Sequence, residues 1–316
     1  MKVQGCDCSI TIKTEYREFD VPYLQETIRE AYSLLQEEAA IEGDGTCRAI
    51  RKSKGVTGCV VTPLSIETAP LLLYLAMGAA GLPVFVSETR NVYQYQLNLL
   101  PMEDTECFDL IQNRSGNNEQ WQESNGQGTG IFANNKERRL FEGCRVKGFE
   151  LRFEWEQPVR LKLDVYGGNS PVILSYKEIP ETPLCQTSEM ARGNEIFKDD
   201  NIFYKINGRE YNNIYGTTII TKKEGGTKTE IWIKRFSDRE KDIPEIIEEM
   251  IITASLLRDR YEERHFGKFR ITIKSLVLIS DETSIKSSGA VIGPLRYYVA
   301  GGVSAEVFTN GGEGIK

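Results

Sequence analysis

Histidine is nearly missing from this 316-residue chain: His265 is the only one. A Ser-His-Asp or Cys-His arrangement would have to use that one residue, and no Gly-x-Ser-x-Gly elbow accompanies it, so nucleophilic catalysis has little to stand on. An excess of basic residues is missing too. Lys and Arg total 39 against 46 Asp and Glu, a net charge of −7, which disfavours a protein that holds nucleic acid by neutralising phosphates. The longest apolar run, Ala69 to Ala80, is much too short to cross a bilayer, so no membrane partner is expected. The seven cysteines, at 6, 8, 47, 59, 107, 144 and 185, are odd in number, and the opening Met1 to Cys8 has no apolar secretory core. We read the thiols as reduced and the protein as made in a cytoplasm.

What is present is β patterning. Phe149-Glu150-Leu151-Arg152-Phe153-Glu154-Trp155-Glu156 alternates apolar and charged without a fault. Gln157-Pro158 interrupts it with turn chemistry, and Val159-Arg160-Leu161-Lys162-Leu163-Asp164-Val165 alternates again. A period of two places Phe149, Leu151, Phe153 and Trp155 on one face and their charged neighbours on the other. This predicts a long antiparallel hairpin with one apolar and one ionic face, in a β-sandwich or barrel.

Around it the chain divides into an N-terminal arm with a helix (1–55), a first β domain (56–180), a linker (181–200) and a second β domain (201–316). In the arm, Asp20-Val21-Pro22 reads as a helix start, with Leu24, Ile28, Ala31 and Leu35 at helical spacing. Thr68, Pro70 and Gly78 bracket a heavily apolar helix over Leu71 to Met77. Strands are expected over Val92–Leu100 and Cys107–Gln112, and the polar stretch 113–136 as a long mobile loop. Asn207-Gly208 and Glu224-Gly225-Gly226 mark hairpin turns. Residues 242–264 read as a long helix, with an Asp242–Glu245 capping box and a stripe of Ile243, Ile246, Ile247, Met250, Ile251, Ala254, Leu257 and Tyr261. Strands at Phe269–Ile279 and Leu295–Phe308 close the chain. The fold class is therefore mainly β with flanking helices, in two halves of similar element order.

Three segments carry a resemblance. Gly58-Cys59-Val60-Val61-Thr62-Pro63-Leu64 followed by Leu71 to Gly81, then Phe141-Glu142-Gly143-Cys144-Arg145-Val146 before the long hairpin, then Ile202 to Ile214 with its Asn-Gly turn, together resemble the tail tube proteins of long-tailed phages, prophages and phage-derived particles. The resemblance implies sandwich or barrel domains that join laterally into rings of about six subunits, or fewer if the halves are duplicated domains. Rings stack into a conduit through which DNA passes without specific binding. It implies other tail proteins as partners, no cofactor, and a location in the host cytoplasm during assembly and then in the virion tail. The assembly interface is expected at Phe149, Leu151, Phe153 and Trp155. Lumen or lateral contacts are expected at Glu150, Arg152, Glu154, Glu156, Arg160, Lys162 and Asp164, set against a plain solvated sheet face for the same residues. The conduit lining is expected to be acidic.

Other readings were weighed on the same residues. A tail adaptor, a baseplate component or an adhesin-like sandwich would use exposed aromatics such as Tyr93, Tyr95, Trp121, Tyr297 and Tyr298. Cys6, Cys8, Cys47 and Cys59 lack paired zinc spacing, Gly126 to Gly130 lacks the lysine and helix of a phosphate loop, and Asp281-Glu282 reads as a turn pair. His265 is expected at the C-terminus of the 242–264 helix in a structural role. No catalytic or metal-binding residue is expected.

Overall fold

A computed structural model describes residues 8–15, 18–37, 48–79, 83–87, 92–120, 131–167, 169, 172–174, 196–197, 202–236, 243–260, 263–282, 284–286, 289–291 and 293–309. The strands are β1 (Cys8–Lys13), β2 (Glu18–Val21), β3 (Gln25–Glu26), β4 (Arg29–Glu37), β5 (Arg48–Pro63), β6 (Val84–Ser87), β7 (Val92–Asn98), β8 (Phe108–Gln120), β9 (Ile131–Glu154), β10 (Arg160–Gly167) and β11 (Val172–Leu174). They continue as β12 (Ile202–Ile206), β13 (Arg209–Tyr211), β14 (Ile214–Lys222), β15 (Lys228–Arg235), β16 (Ile246–Arg260), β17 (Glu263–Asp281), β18 (Ser284–Lys286), β19 (Gly289–Val291), β20 (Leu295–Val299) and β21 (Val303–Thr309). Helix α1 (Ala69–Met77) lies between β5 and β6. The fold is mainly β and antiparallel, as the alternation predicts.

Strand β9 organises the molecule. Its first part pairs with β8 and β11, and its last part lies between β10 and β14. The predicted hairpin is present: β9 and β10 pair with Leu151 opposite Leu161 and Phe149 opposite Leu163, and Gln157-Pro158 lies in the connection. β9 is not one straight ribbon, however. Gly143, at φ 64, and a bulge at Lys147 shift its core-facing parity, so Phe141, then Cys144 and Val146, then Phe149, Leu151 and Phe153 are all buried. Strand β17 bends the same way at Ser275, with φ 55. Before it, β17 pairs with β21; after it, with β20.

The two sheet regions meet face to face around aromatic side chains. The Phe153 ring lies 6.0 Å from that of Phe269 on β17, and Phe197 packs edge-on to Phe269 at 4.9 Å. Helix α1 packs against β7, β9 and β21, and is buried nearly all round, as its composition predicts. Each fully buried leucine there contributes roughly 1.5–3 kcal/mol. The halves are joined through pairing of β14 with β9 and of β21 with β7, and they share one hydrophobic core. Most of the linker stretch lies outside the described residues; Ile196 bridges to Ser65, and Phe197 is buried in the core.

Four expectations are corrected. Residues 20–35 are not helical. β2 pairs with β1, and β4 pairs with β5 from Arg29 opposite Thr57 onward, so partner strands claim the backbone groups a helix would have bonded internally. The stretch 113–136 is not a free loop either: β8 and β9 stay paired out to Gln120 opposite Ile131, with 121–130 outside the described residues. Nor is 242–264 a helix. It forms β16 and the start of β17, paired from Ile246 opposite Val277 to Arg260 opposite Glu263. Ile243, Ile247, Met250 and Ala254 are indeed buried at helical spacing, but the spacing comes from a strand whose parity changes beside Ser275. The Leu295–Phe308 strand is two strands, β20 and β21, meeting at Gly301-Gly302.

Candidate functional site

One row of residues crosses the sheet from side to side: Gln25 (β3), Val61 (β5), Lys162 (β10), Glu150 (β9), Ile220 (β14), Glu230 (β15), Tyr298 (β20), Val277 (β17) and Ile246 (β16), each directly opposite the next. None is fully buried, so the row traces the outer face of a continuous nine-strand run. The inner face of the same strands carries Leu151, Leu163, Ile219, Ile231 and Tyr297, all in the core.

The ionic part of this face is built from pairs. Arg152 bonds Glu150 on its own strand, and Lys162 Nζ lies 3.2 Å from Asp164 Oδ1. Lys234 Nζ donates to Glu154 Oε1 at 2.8 Å across β14, where the intervening residue is Gly216. A Cβ at Gly216 would sit 3.3 Å from the Lys234 side chain, so glycine leaves the path open. That hydrogen bond holds the Glu154 carboxyl below its usual pKa. Arg296 pairs with Glu230 at 3.0 Å and lies over the Trp232 ring, 5.0 Å from its centroid. Arg160 donates to Gln157 Oε1 at 2.9 Å. The acids Glu150, Glu154, Asp164 and Glu230 are thus offset by Arg152, Lys162, Lys234 and Arg296. This part of the face is close to charge balance.

Toward β16 the same face turns apolar. Ile246 is 67% exposed and Ile279 52%, with Val277 and Tyr298 alongside. These four neighbours form an exposed apolar strip at the end of an otherwise ionic face.

The residues singled out in the sequence fall in three places. Phe149, Leu151 and Phe153 are in the core of the chain itself, beneath the ionic face. Trp155 does not share their face: it lies in the turn after β9, exposed, against Phe236. Glu150, Arg152, Glu154, Arg160, Lys162 and Asp164 come together on the outer face, and Glu156 sits in the turn beside Trp155. Among the five aromatics expected to be exposed, Tyr93 and Tyr298 are; Tyr95 and Tyr297 are buried, and Trp121 lies outside the described residues. The Tyr297 hydroxyl donates to Pro244 O at 2.9 Å, and burial pushes its pKa up.

The remaining candidates are scattered. His265 is on β17 opposite Arg258, not at a helix end. Asp281 ends β17, 3.6 Å from Arg235, and Glu282 faces Arg296. The Cys144 thiol is pushed up to about 12, first by burial and then by Asp109, which makes it a poor nucleophile. Cys6, Cys47 and Gly126 to Gly130 lie outside the described residues. Among the described residues no group of His, Cys, Asp and Glu could hold a metal ion, and no helix is long and apolar enough to cross a membrane.

Sequence reasoning missed Lys223. It is 2% exposed, and its ammonium has no hydrogen-bond partner among the described residues; burial lowers its pKa to about 8. It lies one residue past β14, on the inward parity of Ile219 and Thr221. Its place in the run Lys222-Lys223-Glu224 reads as turn chemistry, which hid it. No protein-family model matches the chain, and no curated protein matches it in sequence.

Proposed function

We propose that this protein is a non-enzymatic structural subunit of a phage or prophage tail tube, which self-assembles into stacked rings that form a conduit for DNA. The observation that carries the reading is the outer face just described: a continuous antiparallel run, ionic with paired charges across its middle strands β10, β9, β14 and β15, apolar at one side. At the level of the cross-sheet row, the run ends at β3 on one side and at Ile246 of β16 on the other. Such edges are templates for further pairing, and closing a ring of copies removes them. The exposed apolar strip then lies at the seam between copies, while the paired charges face water in the lumen. A wall whose acids Glu150, Glu154, Asp164 and Glu230 are each paired to a base suits a passing polyanion, because those paired bases are not free to hold phosphates.

Electron microscopy of the purified protein at high concentration tests this. Rings or tubes with a central channel are expected; monomers alone under every condition overturn the reading.

A further inference from the structure

Resting on that reading, we infer that copies stack end to end through an aromatic cluster at one end of the β14–β15 hairpin, which seats on the lysine-bearing turn at the other end of the next copy's hairpin. At the first end, Trp155 donates its backbone N–H to Tyr215 O at 2.9 Å, and Phe236 donates to Asn213 O at 2.8 Å. The backbone thereby gathers three rings: Trp155 packs edge-on to Phe236 at 5.0 Å between centroids, and Tyr215 lies 4.8 Å from Phe236. The cluster is nonetheless open to solvent, with Trp155 53% and Phe236 42% exposed. Glu156, held at φ 57 in the adjoining turn, is exposed beside it. A preassembled, half-solvated cluster rich in Trp and Tyr has the composition of an interaction hot spot.

The opposite end supplies the complement. Lys222 and Lys228 stand directly opposite each other where β14 turns into β15, and both are exposed. Like charges in that position repel, and neither lysine has an ion-pair partner among the described residues. An acidic and aromatic surface relieves both deficits at once, through ion pairing to Glu156 and through ammonium groups over the Trp155 and Phe236 rings. Each copy carries one of each end, on opposite ends of one rigid hairpin. The contact is therefore head-to-tail, the class of interface that builds an open filament when its rotation does not close.

The test is the full-length chain with Trp155→Ala and Phe236→Ala together, and separately with Lys222→Glu and Lys228→Glu, imaged by electron microscopy beside the wild type. These side chains are exposed, so thermal unfolding should stay close to wild type. Rings are expected to persist while mean tube length falls at least about tenfold, the effect of losing a hot spot. Adding Glu156→Lys to the Lys222→Glu/Lys228→Glu chain should restore part of that length by reversing both charges. Wild-type tube lengths from the Trp155→Ala/Phe236→Ala chain overturn the stacking assignment and leave the tail-tube reading standing. Loss of rings along with tubes places the cluster in the lateral contact instead and also overturns it. A wild-type chain that forms neither rings nor tubes takes down both.

Discussion

The outer face of the nine-strand run has two parts that solve the problem of meeting water differently. Over β10, β9, β14 and β15, each of the acids Glu150, Glu154 and Asp164 is matched to a base within reach on the same or a nearby strand. Over β20, β17 and β16 the same face presents Tyr298, Val277, Ile279 and Ile246, all exposed. Exposed ion pairs are individually weak, typically about 0–1 kcal/mol, so the first part gains little stability from its pairs. Its pairing matters for what the face does not do, which is attract or repel a charged neighbour strongly. The second part is unfavourable in water and becomes favourable only when covered. One sheet face thus carries an ionic surface of paired charges and an exposed apolar one, and the proposed ring would bury the second.

The largest expected effect comes from the apolar part. Val277→Lys with Ile279→Lys should abolish ring formation in sedimentation or light scattering while leaving the unfolding temperature nearly unchanged, because both side chains point away from the core. Assembly at wild-type concentration by that variant would break the comparison. Next comes the core beneath the ionic part: Phe153→Ala should cost about 3–5 kcal/mol in denaturant unfolding, since the ring is fully buried against Phe269.

Lys223→Met should stabilise the chain at pH 7 by roughly 1–3 kcal/mol, by removing a buried ammonium with no partner. The sign follows from its pKa, about 8 when folded against 10.5 in the open chain. Between those values the unfolded chain binds more protons, so wild-type stability rises with pH from about 8 to 10.5, and the Met variant should lose that rise. The smallest effect belongs to the ionic part itself. Glu154→Gln should cost at most about 1 kcal/mol, and less at high salt. Because the folded Glu154 pKa is depressed, its contribution is present above the ordinary carboxylate range and is lost as pH falls through the folded value.

How much of this was legible beforehand depended on whether a strand kept its parity. Phe149 to Asp164 alternates around Gln157-Pro158, and the hairpin with Phe149, Leu151 and Phe153 on its inner face was legible in the letters, though Trp155 was not. β16 could not. Its parity change beside Ser275 puts Ile243, Ile247, Met250 and Ala254 in the core at helical intervals, so a bent strand imitates an amphipathic helix. A counter-signal was present: Ile246, Ile247, Ile251, Ile252 and Thr253 are β-branched, which favours a strand. The stretch 113–136 failed for a different reason: its polar letters carry no apolar period, while the β8 backbone pairs with β9. On the site, the charged residues were visible as a face, but Lys234, which pairs with Glu154, and the Arg296–Glu230 pair beside it lie far away in sequence and only the sheet brings them close. The apolar strip left a trace as well: Val277-Leu278-Ile279 is apolar on both faces of one strand, and that needs cover on both sides.

Light scattering on the wild-type chain across a concentration series tests the central claim most directly. The account predicts a mass that climbs with concentration from one chain to a ring of defined size and then to multiples of that ring. A mass that stays at one chain over the whole series contradicts it.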